Sequence, residues 1–148
     1  MKLRFSASSL YVFEKVKMMI IKLLFIWLVM VVCAILNGTL RDKVLSYYIG
    51  ENIALAVSGV SLSLLVFLVS YIAIDRFSNK STFVCICIGV FWLFLTLAFE
   101  YGFGHYVLDK PWSEINKVFE VQHGNFFVLV LLTTLFGPLL SARIKGYV

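Results

Sequence analysis

Four long apolar stretches alternate with short polar segments along the chain. Residues 23–40, 52–74, 81–99 and 121–142 contain no Asp, Glu, Lys or Arg. Each run is near the roughly 20 residues that a helix needs to cross a bilayer. The runs are continuous rather than alternating, so they do not read as the strands of a barrel. In hydrocarbon every backbone polar group must be satisfied within the segment, which selects the helix. The pattern predicts an all-α fold: a bundle of four transmembrane helices at about residues 18–36, 53–74, 83–103 and 126–142, in one domain covering 1–148. Residues 1–17 form a charged segment ahead of the first span.

The polar segments have structure of their own. In "DKPWSEINKVF", Asp109 precedes Pro111, which suits a helix start. Trp112, Ile115 and Phe119 then recur at three- and four-residue steps. This one-sided stripe predicts a short amphipathic helix lying at the membrane interface, in the loop between the third and fourth spans. Tyr47, Tyr48, Tyr101 and Tyr106 fall at the same level, as an aromatic belt does. His123 is assigned to a turn, with Asn125 as the N-cap of the fourth span. Small residues read as packing seams: Thr133, Gly137 and Ser141 repeat every four residues in the fourth span, and Ala54, Ser58 and Ser61 share one face of the second.

Charge then gives an orientation. Lys2, Arg4, Lys15, Lys17, Lys22, Arg76, Lys80, Arg143 and Lys145 fall on one side; Arg41, Lys43, Lys110 and Lys117 fall on the other. Nine and four account for all 13 cations. The richer side is expected in the cytoplasm, with both termini. The loops at 37–52 and 104–125 then face outward. No small-residue cleavage site follows the first apolar run, so it reads as a retained helix.

Composition supports lipid as the solvent. The chain is 61% hydrophobic and 14% charged, against about 25% charged for soluble domains. The net charge of +5 is spread too thinly for a nucleic-acid groove. Cys33, Cys85 and Cys87 have no Cys-x-x-Cys or zinc spacing and read as buried apolar residues. No metal set or cofactor motif is present, and no catalytic residue is assigned: there is no Gly-x-Ser-x-Gly and no His-Glu-x-x-His.

One polar cluster stands out. Glu100 closes the third apolar run in "FEYGFGH", and "NGTLR" closes the first. Counting from the span ends puts Asn37, Arg41, Glu100 and His105 at one membrane level. A carboxylate at that depth needs a partner, and Arg41 can hold one with two hydrogen bonds. The reading expects an Arg41–Glu100 pair completed by Asn37 and His105, serving either as a ligand site or as a structural clamp. Gly38, Gly102 and Gly104 are expected to let the backbone bend or approach closely.

At "LNGTLRD" and "FEYGFGHYVLDKPW" the chain resembles a family of small, largely uncharacterised bacterial inner-membrane proteins with four helices. The resemblance implies a bacterial plasma membrane and groups Asn37, Gly38, Arg41, Glu100, Gly102, Gly104 and His105. It carries no activity. Three functions follow as expectations. The first is binding or transport of a small anion, a proton or a lipid headgroup at the outer cluster, in a homo-oligomer if a solute path is needed. The second is an accessory or assembly subunit of a larger membrane complex. The third is an enzyme acting on a lipid or isoprenoid. Membrane lipid is the expected contact in each case, and nucleic acid in none.

Overall fold

The computed structural model describes residues 7–119 and 125–148. The turn expected at His123, and residues 1–6 of the charged segment, lie outside them. The described chain is helical, with no strand. Four helices are long and apolar enough to cross a membrane.

Helix α1 (Ala7–Leu40) passes without a break into a π-helical turn, Arg41–Leu45, and then into α2 (Ser46–Ile49). Gly50 separates α2 from α3 (Glu51–Ala73), which ends in a 3₁₀ turn, Ile74–Arg76. Helix α4 spans Thr82–Tyr106, the short α5 Trp112–Asn116, and α6 Phe127–Ile144.

The expected loop at 37–52 is therefore helical almost throughout. Nothing in "LRDKVLSYYI" is a strong helix breaker. Asn37 and Gly38 do not stop α1, because the Asn37 side chain is bonded across to another helix. The reversal falls on Gly50, at φ +80°, a conformation that glycine adopts without steric cost. From Leu10 to Ile49 the helix covers 40 residues, about 60 Å at the usual rise. That is twice the roughly 30 Å hydrocarbon core.

Two pairs of contacts set the register of the bundle. Trp92 Nε1 donates to the Leu23 carbonyl at 3.0 Å, and Trp27 Nε1 to Thr96 Oγ1 at 3.2 Å. Both bonds join residues 69 apart in sequence, so α1 and α4 run parallel in a fixed register. Similarly Gly59 faces Phe126 and Gly137 faces Ser70, so α3 and α6 are also parallel. Helix α6 packs against both α3 and α4, and α1 lies on α3 and closes more loosely on α4. The consecutive helices α3 and α4 are not among the closely packed pairs.

The seams are made of small residues, as helices in lipid require. A Cβ on Gly89 would sit 1.9 Å from the Leu135 carbonyl oxygen. In the fourth span the buried threonine is Thr134, whereas Thr133 is only partly covered. The two are adjacent, so a shift of 100° moves one off the seam that Gly137 and Ser141 share. Pro138 sits inside α6 without ending it. The Ser70 and Ser141 hydroxyls are buried with no hydrogen-bond partner, so here the small side chains act through size alone. Cys33, Cys85 and Cys87 are free thiols; Cys85 is buried, but Cys87 is exposed on the apolar surface.

Candidate functional site

Asn37 is 8% exposed and forms a polar knot between α1 and α3. Its Nδ2 donates to Ser61 Oγ at 2.8 Å. Ser58 Oγ donates to Asn37 Oδ1 through a short bond. Ser61 Oγ donates on to the Ser58 carbonyl at 3.0 Å. The amide thus uses both ends on two serines one turn apart, which explains how a polar group is tolerated at a helix–helix contact. Its partners lie on α3, not on α4 as expected.

The structure does not form the Arg41–Glu100 pair. Arg41 Nε bonds its neighbour Asp42 at 2.7 Å. Among the described residues Glu100 has no ion pair and no hydrogen bond to its carboxylate. The register of α1 on α4 explains this. Adding the common offset of 69 to 41 gives 110, so Arg41 is level with the chain beyond the end of α4. Glu100 is ten residues earlier in that register, and Arg41 turns to Asp42 instead. Counting from span ends missed this, because a residue's level depends on which turn of α4 each turn of α1 meets. Glu100→Gln is accordingly expected to stay within about 0.5 kcal/mol of the parent in thermal unfolding in detergent. A loss of about 3 kcal/mol, the scale of a broken buried ion pair, would restore Arg41 as its partner.

His105 instead belongs to a platform built on α5. Its ring stacks on Trp112, with centroids 4.0 Å apart. His105 Nδ1 lies 3.0 Å from the Lys110 carbonyl; a carbonyl only accepts, so Nδ1 carries the proton in this contact. Tyr101 Oη donates to Asn116 Oδ1 at 2.8 Å, and the Tyr101 ring lies beside Trp112 and Phe119. Ile115 is buried. It rests on Gly104, where a Cβ would come within 3.2 Å of Ile115 Cδ1. Gly104 thus sits in close contact with α5. Gly38 and Gly102 make none, since a Cβ at either would meet nothing within 4 Å. Lys110 pairs with Glu114 at 3.2 Å on the exposed side of the same segment. Asn125 Oδ1 accepts from the Phe127 amide at 3.1 Å, an Asx turn that opens α6.

A second polar cluster, not anticipated from the sequence, lies at the opposite end of the bundle. Asp75 accepts from Lys145 Nζ at 2.5 Å and from Tyr147 Oη at 2.8 Å. Lys145 Nζ also sits 4.2 Å from the centre of the Tyr71 ring, and Lys80 Nζ 4.1 Å from that of Tyr147. The C-terminal residues are thereby tied to the end of α3. The bond to Asp75 holds the Lys145 ammonium above its ordinary range, and the same carboxylate raises the Tyr147 hydroxyl. A signal was available. Asp75 and Glu14 are the only two acids on the side that gathers nine cations.

No cluster of three or more His, Cys, Asp or Glu able to hold a metal occurs among the described residues. Comparison with protein-family models, curated proteins and solved structures yields no match.

Proposed function

We propose that this is a multi-pass protein of the bacterial inner membrane that binds a phospholipid headgroup at its α5-bearing end. In this reading the α5 end faces outward and both termini are cytoplasmic, as the cation count favours. The observation that carries the proposal is the α5 platform. A short helix is pinned to the end of a spanning helix through Ile115 on Gly104 and Trp112 on His105. Aromatic rings and the cations Lys110 and Lys117 are thereby held where the bilayer meets water. Aromatic side chains with a polar tip favour that depth, and lysines there meet lipid phosphates. Dispersal of Asn37 and Arg41 into local bonds argues against a small-anion cage at Glu100.

Native mass spectrometry of the purified protein tests the proposal. With phosphatidylglycerol and phosphatidylcholine offered in equal amounts, the parent should retain the anionic lipid several-fold better. Lys110→Gln/Lys117→Gln should lose that preference while still folding. Equal retention of both lipids by the parent would remove the headgroup reading.

The accessory-subunit reading has one observation behind it. Along α1, Met18, Ile21, Phe25, Leu28, Val32 and Ile35 are exposed, in the three-and-four spacing that suits a helix partner. One dominant, stoichiometric partner in crosslinking from native membranes would favour it over the lipid reading.

A further inference from the structure

An apolar groove runs between α4 and α6 and opens on the surface of the bundle. It has a volume of about 440 Å³. Leu93, Leu97 and Tyr101 line it at four-residue steps on α4, and Leu131 and Leu135 face them from α6. Phe119, just after α5, closes the end at the platform. We infer that this groove seats one acyl chain of a phospholipid whose headgroup rests on the α5 platform. This inference rests on the headgroup reading above and extends it to the chain.

Three features select a lipid chain as the occupant. The first is depth. From Leu93 to Tyr101 is eight residues, about 12 Å along the helix. One leaflet of the hydrocarbon core is about 15 Å thick. The groove thus covers most of the leaflet nearest α5 and stops near the midplane. A helix from a partner would be expected to cross both leaflets.

The second is chemistry. The lining side chains are Leu, Val and Phe, with only the body of Tyr101 added. The one hydroxyl is turned away, since Tyr101 Oη is engaged by Asn116. Small residues and interhelical hydrogen bonds, which join helices in lipid, are lacking in the lining. The third is charge at the mouth. Lys117 lies two residues before Phe119 in the same 3₁₀ turn, at the end where a lipid phosphate would sit. A chain in the bilayer is already out of water, so occupancy is selected by shape and contact with the leucines. The phosphate at the mouth fixes its position.

The test fills the groove. Leu97→Trp and Leu131→Trp place a bulky side chain where the acyl chain would lie, at the lipid-facing side of a seam. In native mass spectrometry after detergent exchange, the parent should carry one tightly retained phospholipid. Its occupancy should fall about fivefold in each variant, with an unchanged thermal midpoint. If either tryptophan disturbs folding, Leu132→Phe, a smaller change at a half-exposed wall position, makes the same measurement. Three results would overturn the inference: no lipid retained by the parent, equal retention in parent and filled variants, or a lipid-free dimer that the variants convert to monomer. The last would assign the groove to a second copy of the chain. The headgroup reading fails separately. If the parent shows no preference for anionic lipid but the filled variants still lose the retained phospholipid, the groove stands and the platform reading does not.

Discussion

Gly89→Ala is expected to destabilise the bundle by about 3 kcal/mol or more, at the upper end of what overpacking costs. The added Cβ would lie 1.9 Å from the Leu135 carbonyl oxygen and 2.8 Å from its carbon. These are backbone atoms of α6, so no side chain can turn aside. The helices must separate, and the separation spreads along a seam that also buries Trp92, Ile88 and Val130. The measurement is thermal unfolding in detergent, with Gly102→Ala as the control. A Cβ on Gly102 meets nothing within 4 Å, and alanine is the better helix former by about 1 kcal/mol. Gly102→Ala should therefore hold or raise stability. Equal effects of the two changes would mean that α4 and α6 are not in close contact at Gly89.

The second large effect is expected at Asn37. Asn37→Ala removes two hydrogen bonds between α1 and α3 and leaves the Ser58 hydroxyl without its partner. Bonds between helices in lipid contribute about 0.6 kcal/mol each. Leaving a buried polar group unsatisfied costs about 1–3 kcal/mol. A loss of about 2–4 kcal/mol is the expected sum. The asymmetry of hydrogen bonding supplies the check: removing both sides costs less than removing one. Asn37→Ala/Ser58→Ala/Ser61→Ala should therefore be more stable than Asn37→Ala alone. A triple variant that is further destabilised would show that the serines act through packing and not through Asn37.

Much of the fold was legible because hydrocarbon imposes one rule on every residue of a span. The uncharged runs mark the four long apolar helices, each of which carries most of one run. The ends were less legible. Polarity tells where an apolar run ends, not where a helix stops, and α1 passes through the π-helical turn into α2, which ends at Ile49 before Gly50.

The candidate site suffered from the same gap. Asn37, Arg41, Glu100 and His105 were placed together by counting from the ends of apolar runs. Axial register is set elsewhere, by two tryptophan indoles reaching Leu23 and Thr96. Nothing in the pattern of apolar residues encodes those bonds, since every position around Trp27 and Trp92 is apolar. The serines that hold Asn37 were visible as a small-residue face, but their choice of partner depended on which helices adjoin. A short helix does follow Pro111, but it covers only Trp112–Asn116 and ends before the Phe119 of the stripe.

The parallel registers carry a consequence for biogenesis. Helix α1 with α3, and α4 with α6, are two hairpins laid side by side in the same sense. The first hairpin has its own internal fastener in Asn37 and its serines, so it can close before the ribosome has made α4. The second can then dock on that surface, with Lys145 and Tyr147 of the segment after α6 reaching Asp75 at the end of α3. Assembly is in this sense the docking of one hairpin on another, with the bonds to Asp75 fastening the second to the first.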